Sequence, residues 1–296
     1  MRMHADEVEI DEPLVRQLIS TQMPEFAGLP LVRVEPWGTD NAVWRLGEDL
    51  VVRLPRIHWA VGQVDLETTW LPKLAPLLPV ATPEPIATGE PDDTYPWRWG
   101  VFRWLSGVPA GPATIGDPIA FALDLAAVVR SLGQIPADGA PAARNRARPI
   151  AEYNDVTLLM IDHVSGLIDA VAARQVWQAA MDATPHEDVP VWVQGDLEGN
   201  CLVQEGKLSG IVDWGSACAG DPAVDVQVVW SPLFTDESRQ RFLRALNIDD
   251  ATLARSRGAA IHQACGALGY YMETYPLIIE RSWHKLAAVG VEPKFP

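Results

Sequence analysis

Residues Val191–Asp225 read VWVQGDLEGNCLVQEGKLSGIVDWGSACAGDPAVD. The apolar, β-type run Val191–Val193 leads into a loop that carries Asp196, and Asn200 follows. Alternating apolar residues then predict a hairpin, Cys201–Gln204 and Leu208–Val212, around a Glu205-Gly206-Lys207 turn. The second strand ends at Asp213-Trp214-Gly215. A hairpin returns its two ends to one place, so two carboxylates and an amide meet at the same end. Phosphoryl transfer needs that set: one Asp to orient a hydroxyl nucleophile, and an Asn with a second Asp to hold magnesium on the phosphates.

The segment resembles the aminoglycoside phosphotransferase family, a branch of the protein-kinase-like fold. Three separated sub-motifs carry the likeness in order: Gln194-Gly195-Asp196-Leu197 with Gly199-Asn200, then Val212-Asp213-Trp214-Gly215, then Gly220-Asp221-Pro222-Ala223 with Asp225. The chain departs from the family run, roughly H-G-D-L-x-P-G-N, in two places. Gln194 stands where the family has His, and one residue is missing between Asp196 and Asn200. A Gln amide both donates and accepts hydrogen bonds, so it can brace the loop as a His does. The interval from Asn200 to Asp213 is family-like, which keeps Asn200 as the implied metal ligand.

The resemblance implies an α+β, protein-kinase-like fold, with a small antiparallel-sheet N-lobe over residues 1–104 and a larger, mainly helical C-lobe over 105–296. Asp196 becomes the catalytic carboxylate, and Asn200 and Asp213 the magnesium ligands. In the strand Leu50–Leu54, Arg53 matches the cation that reaches the nucleotide phosphates, and Glu67 matches its helix partner. Trp99–Gly107 resembles the last N-lobe strand running into a hinge near 102–107, which places Phe102 and Trp104 beside the nucleotide. Asp221 and Asp225 resemble positions that hold the catalytic loop. The implied reaction moves the γ-phosphoryl group of ATP (or GTP), with Mg2+, to a hydroxyl of a small molecule, an aminoglycoside or macrolide antibiotic. Resistance to such antibiotics is the implied role. Two alternatives remain from the same residues: a small-metabolite kinase, and a weakened kinase-like protein that binds nucleotide or antibiotic without turnover.

Elsewhere the chain excludes more than it assigns. Its 296 residues carry a formal charge of −16, with 16 acids against nine bases in residues 1–104 and 23 against 14 in the remainder. Acidity spread in this way disfavours nucleic acid and anionic membranes and attracts a cationic acceptor. No apolar run approaches the ~20 residues of a membrane span. The acidic first dozen residues argue against a signal peptide, and three cysteines without metal-type spacing fit a cytoplasmic protein, monomer or homodimer. There is no G-x-G-x-x-G, P-loop or G-x-S-x-G, and the six histidines show no paired spacing.

The outer elements follow from periodicity and punctuation. A helix is expected over 12–24, and β runs at Leu31–Pro36, Ala42–Leu46 and Leu50–Leu54, the first two separated by the turn Trp37–Asn41. Arg56 is expected to face solvent. Asp117-Pro118 opens a helix that stops at Gly133, and Pro136–Pro149 reads as an exposed loop. Further helices are expected at 152–163, 167–183, 226–230, 235–245, 251–271 and 276–289. Glu152, Asp155, Glu273 and Glu280 are candidate acceptor-binding acids.

Overall fold

A computed structural model describes residues 4, 6–35, 38–144, 146–186 and 189–294. Pro36 and Trp37, at the end of the first expected β run and the start of the turn, lie outside the described residues, as does Asn145 in the Pro136–Pro149 stretch. The chain forms two compact units, one from residues 1–106 with 210–215 and the other from 107–209 with 216–296.

In the first unit, helix α1 (Glu12–Gln22) starts where Asp11 accepts a hydrogen bond from the Leu14 amide at 3.0 Å, with a proline in the first turn. That cap contributes about 1 kcal/mol. Strands β1 (Leu31–Arg33), β2 (Asn41–Leu46) and β3 (Leu50–Pro55) follow, then helix α2 (Gln63–Leu74) and strands β4 (Pro85–Gly89) and β5 (Trp99–Arg103). They make one antiparallel sheet in the order β1-β2-β3-β5-β4. Every residue of β3 is buried, because both sheet faces are covered. Side chains alternate along a strand, so Leu50, Val52 and Leu54 join the core that α1 closes with Val15, Leu18 and Ile19. Val51 packs with Val64 of α2 and with Phe102. Arg53, two residues after Val51, takes the α2 side. The indole of Trp99 lies over Gly89, where a Cβ would stand 2.0 Å from the ring, so only glycine fits.

The second unit is mainly helical. It contains β6 (Val108–Pro109), α3 (Pro118–Gln134), α4 (Asn154–His163), α5 (Ala170–Asp182), β7 (Val191–Val193), α6 (Leu197–Asn200), β8 (Cys201–Gln204), β10 (Cys218–Gly220), α7 (Ala223–Val226), α8 (Asp236–Leu246), α9 (Asp250–Tyr271) and α10 (Pro276–Ala288). Strand β9 (Lys207–Ile211) begins in this unit and runs into the segment that packs with the first. The long helix α9 is its axis, with α4, α5, α7 and α10 packed on it, while α8 packs on α3. Strand β10 pairs antiparallel with β7, and β8 lies between β6 and β9.

Local differences from the sequence reading have identifiable causes. α3 runs past Gly133 to Gln134 and ends at Ile135, one residue before Pro136. The β8–β9 turn is two residues long, with Glu205 at φ +52° and Gly206 at +78°, the mirror-image turn that matches strand twist. Arg56 is buried instead of solvent-facing. Its guanidinium pairs with Glu7 at 3.3 Å and donates to the Gly38 carbonyl, so the N-terminal segment covers it. The Pro136–Pro149 stretch is not an open loop: Ala219 N donates to Pro141 O, Asp221 N donates to Ala147 O, and Ala147 is buried.

Candidate active site

The first unit holds a buried charge cluster built from three elements. Arg53 on β3 donates from Nη1 to Glu67 Oε1 at 2.5 Å and from Nη2 to Asp213 Oδ1 at 2.8 Å. Glu67 belongs to the Val64, Glu67, Leu71, Leu74 stripe that α2 turns inward, which is why a carboxylate at that position is 0% exposed. Glu67 Oε1 also accepts the Trp214 amide at 2.8 Å. The glutamate therefore holds both the arginine and the Asp213-Trp214 backbone. Asp213 sits at φ +54°, a left-handed conformation that these bonds and the buried Trp214 indole stabilise. Burial opposes the charge on Arg53, but Glu67 and Asp213 outweigh it and raise its proton affinity. Burial also pushes the Glu67 carboxyl up, against the pull of Arg53.

Phe102 is fully buried, and its ring supports the Arg53 guanidinium at 5.6 Å. The Phe102 backbone lies in the sheet between Val51 and Pro85. Trp104 stacks under Arg45 at 4.8 Å and donates its amide to Asp49 O at 2.8 Å. Of the two residues expected beside a nucleotide, Phe102 packs against Arg53, and the Trp104 amide already has a partner. The turn before β2 is tied down as well. Asp40 accepts from Gln63 Nε2 at 2.9 Å and from Trp59 Nε1 at 3.1 Å, and Gln63 Oε1 accepts from Asn41 Nδ2 at 2.8 Å.

The second unit presents Asp196 on a fixed turn. The chain leaves β7 through Gln194 and Gly195, the latter at φ +87°. Asp225 accepts Gln194 N at 2.8 Å on one oxygen and Gly195 N at 2.7 Å on the other. Burial pushes the Asp225 carboxyl up to about 6, with the two amides pulling the other way. Gln194 Oε1 accepts the Asp196 amide at 2.6 Å, a bracing contact within the turn. The interval from Asp196 to Asn200, read as a loop, is a single helical turn. Asn200 Nδ2 donates to Asp196 O at 2.7 Å, closing the turn from the side chain and leaving the amide oxygen of Asn200 for another partner.

Two contacts to this turn come from residues the sequence did not single out. Arg146 donates to Asp196 Oδ1 at 3.0 Å, and Lys285 on α10 pairs with Glu198 at 2.6 Å while donating to Gln263 Oε1 at 2.9 Å. Asp221 accepts the Ala223 amide at the start of α7 and forms a buried pair with Arg255 at 2.7 Å. Of the candidate acceptor-binding acids, Glu152 pairs with Arg148.

Arg146 also lines a half-open pocket, together with Tyr153, Trp177, Gln227 and His262 among others. His262 accepts or donates at Nδ1 to the Thr157 hydroxyl at 2.8 Å, and burial depresses its pKa to about 4. An unfolded His titrates near 6.5, so the unfolded chain takes up this proton first. The neutral-His stability is complete above about pH 6.5 and is lost as pH falls toward 4, by up to about 3 kcal/mol. His262→Gln, which can still bond Thr157, should lose less stability than wild type between pH 7.5 and 5 in urea titrations. An equal loss in both proteins would assign the acid sensitivity elsewhere.

Among the described residues no group of three or more His, Cys, Asp or Glu forms a metal cluster, and no helix is long and apolar enough to cross a membrane. The three cysteines are free and buried.

A profile of the phosphotransferase enzyme family matches residues 32–260. No curated protein matches the chain. Among solved structures, the GDP complex of wild-type aminoglycoside 2'-phosphotransferase-IIIa is similar with a TM-score of 0.70 at 18% identity, covering 95% of this chain and 99% of that one. Macrolide 2'-phosphotransferase MphH from Brachybacterium faecium is similar with a TM-score of 0.60 at 23% identity, over 93% and 96% of the two chains. Macrolide 2'-phosphotransferase type I gives 0.63 at 20% identity, over 95% and 97%. These likenesses establish the α+β, kinase-like fold. The profile spans Arg53, Glu67, Asp196, Asn200, Asp213 and Asp225, and with more than half of the chain inside it, the protein belongs to the phosphotransferase enzyme family.

Proposed function

We propose that the protein transfers the γ-phosphoryl group of ATP or GTP to a hydroxyl of a small molecule, with an aminoglycoside or a macrolide as the acceptor class. The observation that carries this reading is the Asp196 turn, where Asp225, Gln194 and Asn200 each bond the local backbone so that one carboxylate is held in place. A fixed carboxylate suits a residue that orients the acceptor hydroxyl and takes its proton. Relatives of the same fold have been solved with GDP, and with ADP in the case of aminoglycoside phosphotransferase APH(2'')-Ib, which supports a nucleotide as donor.

Arg53, held by Glu67, is the cation assigned to the nucleotide phosphates, and its guanidinium remains charged at any working pH. Asp213 and Asn200 are assigned to magnesium. Carboxylate and amide oxygens are the hard donors this ion prefers, and the Asn200 bond to Asp196 O uses the amide nitrogen, not the oxygen. When bound, magnesium supplies charge neutralisation on the phosphates. Asp196 orients the acceptor hydroxyl and accepts its proton as the new P–O bond forms, and the nucleoside diphosphate leaves. The test is a coupled nucleoside-diphosphate release screen over aminoglycosides, macrolides and small hydroxylated metabolites, with ATP and GTP in parallel. Turnover on an antibiotic that Asp196→Asn abolishes supports the reading; turnover on metabolites alone redirects the acceptor class, and none on any acceptor overturns phosphoryl transfer.

A further inference from the structure

We infer that Arg146 is a positioning residue for Asp196, an inference that rests on the phosphotransferase reading above. One guanidinium nitrogen, Nη1, donates both to Asp196 Oδ1 at 3.0 Å and to Gly195 O at 3.2 Å. The side chain of Asp196 is thereby tied to its own preceding peptide. Its rotation is restricted at the point where the backbone is least ordinary, between Gly195 at φ +87° and Asp196 at φ −153°, ψ 52°.

Arg146 reaches this point because a strap of chain is built to carry it. Ala142 bridges Ala219 of β10 in parallel, and the Ala219 and Asp221 amides donate to Pro141 O and Ala147 O on either side of Arg146. Ala147 is held at φ +60°, unusual for a residue with a Cβ, and it packs with Val193, Cys218 and Val224. A Cβ on Gly220 would stand 2.3 Å from Ala147 O, so the strap passes only because position 220 is glycine. The Gly220–Asp225 segment therefore supports Asp196 twice. Asp225 holds the backbone below it, and Gly220 with the Asp221 amide seats the strap that delivers Arg146. A surface ion pair of no consequence would not need a buried, strained anchor one residue away.

The test is steady-state kinetics on wild type, Arg146→Met, Arg146→Ala, Arg146→Lys and Gly220→Ala with an acceptor found in the release screen. A carboxylate free to swing by an ångström costs about 100-fold in turnover. Arg146→Met should lower kcat roughly 100-fold while the nucleotide KM stays within about twofold. Arg146→Lys should recover about a tenfold part of that loss, and added guanidinium ion should restore part of the kcat of Arg146→Ala. Gly220→Ala should show the same kcat-selective loss. Equal thermal midpoints for wild type and Arg146→Lys ensure that the comparison concerns folded protein. Wild-type kcat in Arg146→Met, or a loss of kcat with an equal rise in nucleotide KM and no rescue by Lys or guanidinium, overturns the inference and leaves the phosphotransferase reading intact. A wild-type protein silent on every acceptor overturns both.

Discussion

Asp196→Asn is expected to lower phosphoryl transfer by roughly 1,000-fold or more while leaving nucleotide affinity within about threefold. The substitution removes one charge and one proton acceptor and almost nothing else. The Asp196 amide still bonds Gln194, its carbonyl still takes the Asn200 side chain, and an amide oxygen at the same position still accepts from Arg146. The turn should therefore keep its shape, and the loss should fall on the chemical step. Asp213→Asn should behave differently: it weakens the bond from Arg53 and removes the carboxylate proposed to hold magnesium, so magnesium-dependent nucleotide binding is expected to suffer first. Turnover by rapid quench and nucleotide affinity by calorimetry separate the two. An Asp196→Asn protein that turns over within tenfold of wild type would remove Asp196 from its assigned role.

The largest stability effect is expected for Arg53→Met, a loss of about 3–5 kcal/mol. Glu67 is wholly buried, Oε2 accepts no hydrogen bond among the described residues, and the Trp214 amide is left to support the carboxylate alone. Met fills the space of the arginine stem without its charge. A charge left unpaired in such a place is costly, whereas replacing both partners with apolar groups is often nearly neutral. Adding Glu67→Leu to Arg53→Met should thus recover more than half of the loss, although Trp214 N then needs a new partner. Guanidinium chloride melts of both single variants and the double variant give the coupling directly. A loss under about 1 kcal/mol in Arg53→Met would mean that water reaches Glu67 and that the pair is dispensable.

The parts of the site that were legible in the sequence are the ones fixed by short spacings. Asp196 and Asn200 precede one hairpin in the sequence and Asp213 follows it, and the strands and turn of that hairpin are set by local alternation and by Gly206. Arg53 and Glu67 were legible because a strand position and a helix position each impose a facing. What could not be read depends on distant chain. Arg146 lies in a Pro- and Ala-rich stretch with no periodicity, and it arrives at Asp196 only because that stretch docks beside β10, across more than 70 residues of sequence. Arg56 looks like an exposed strand end until Glu7, from the N-terminal segment, pairs with it. The one-turn helix at Leu197–Asn200 was hidden for another reason. Four residues carry no helical periodicity, and the bond that closes the turn comes from a side chain that local patterns assign to metal.

The three cysteines offer a built-in clock for local opening. Cys201 follows the Asp196 turn, Cys218 lies on the strand beside β7, and Cys265 is on α9; burial pushes each thiol up to about 12. Alkylation requires a thiolate in contact with solvent, so each thiol should react only when its own neighbourhood opens. Mass-resolved labelling in the native state would then time the breathing of the turn at Cys201 against the loosening of the helical axis at Cys265, in one sample and with no introduced cysteine.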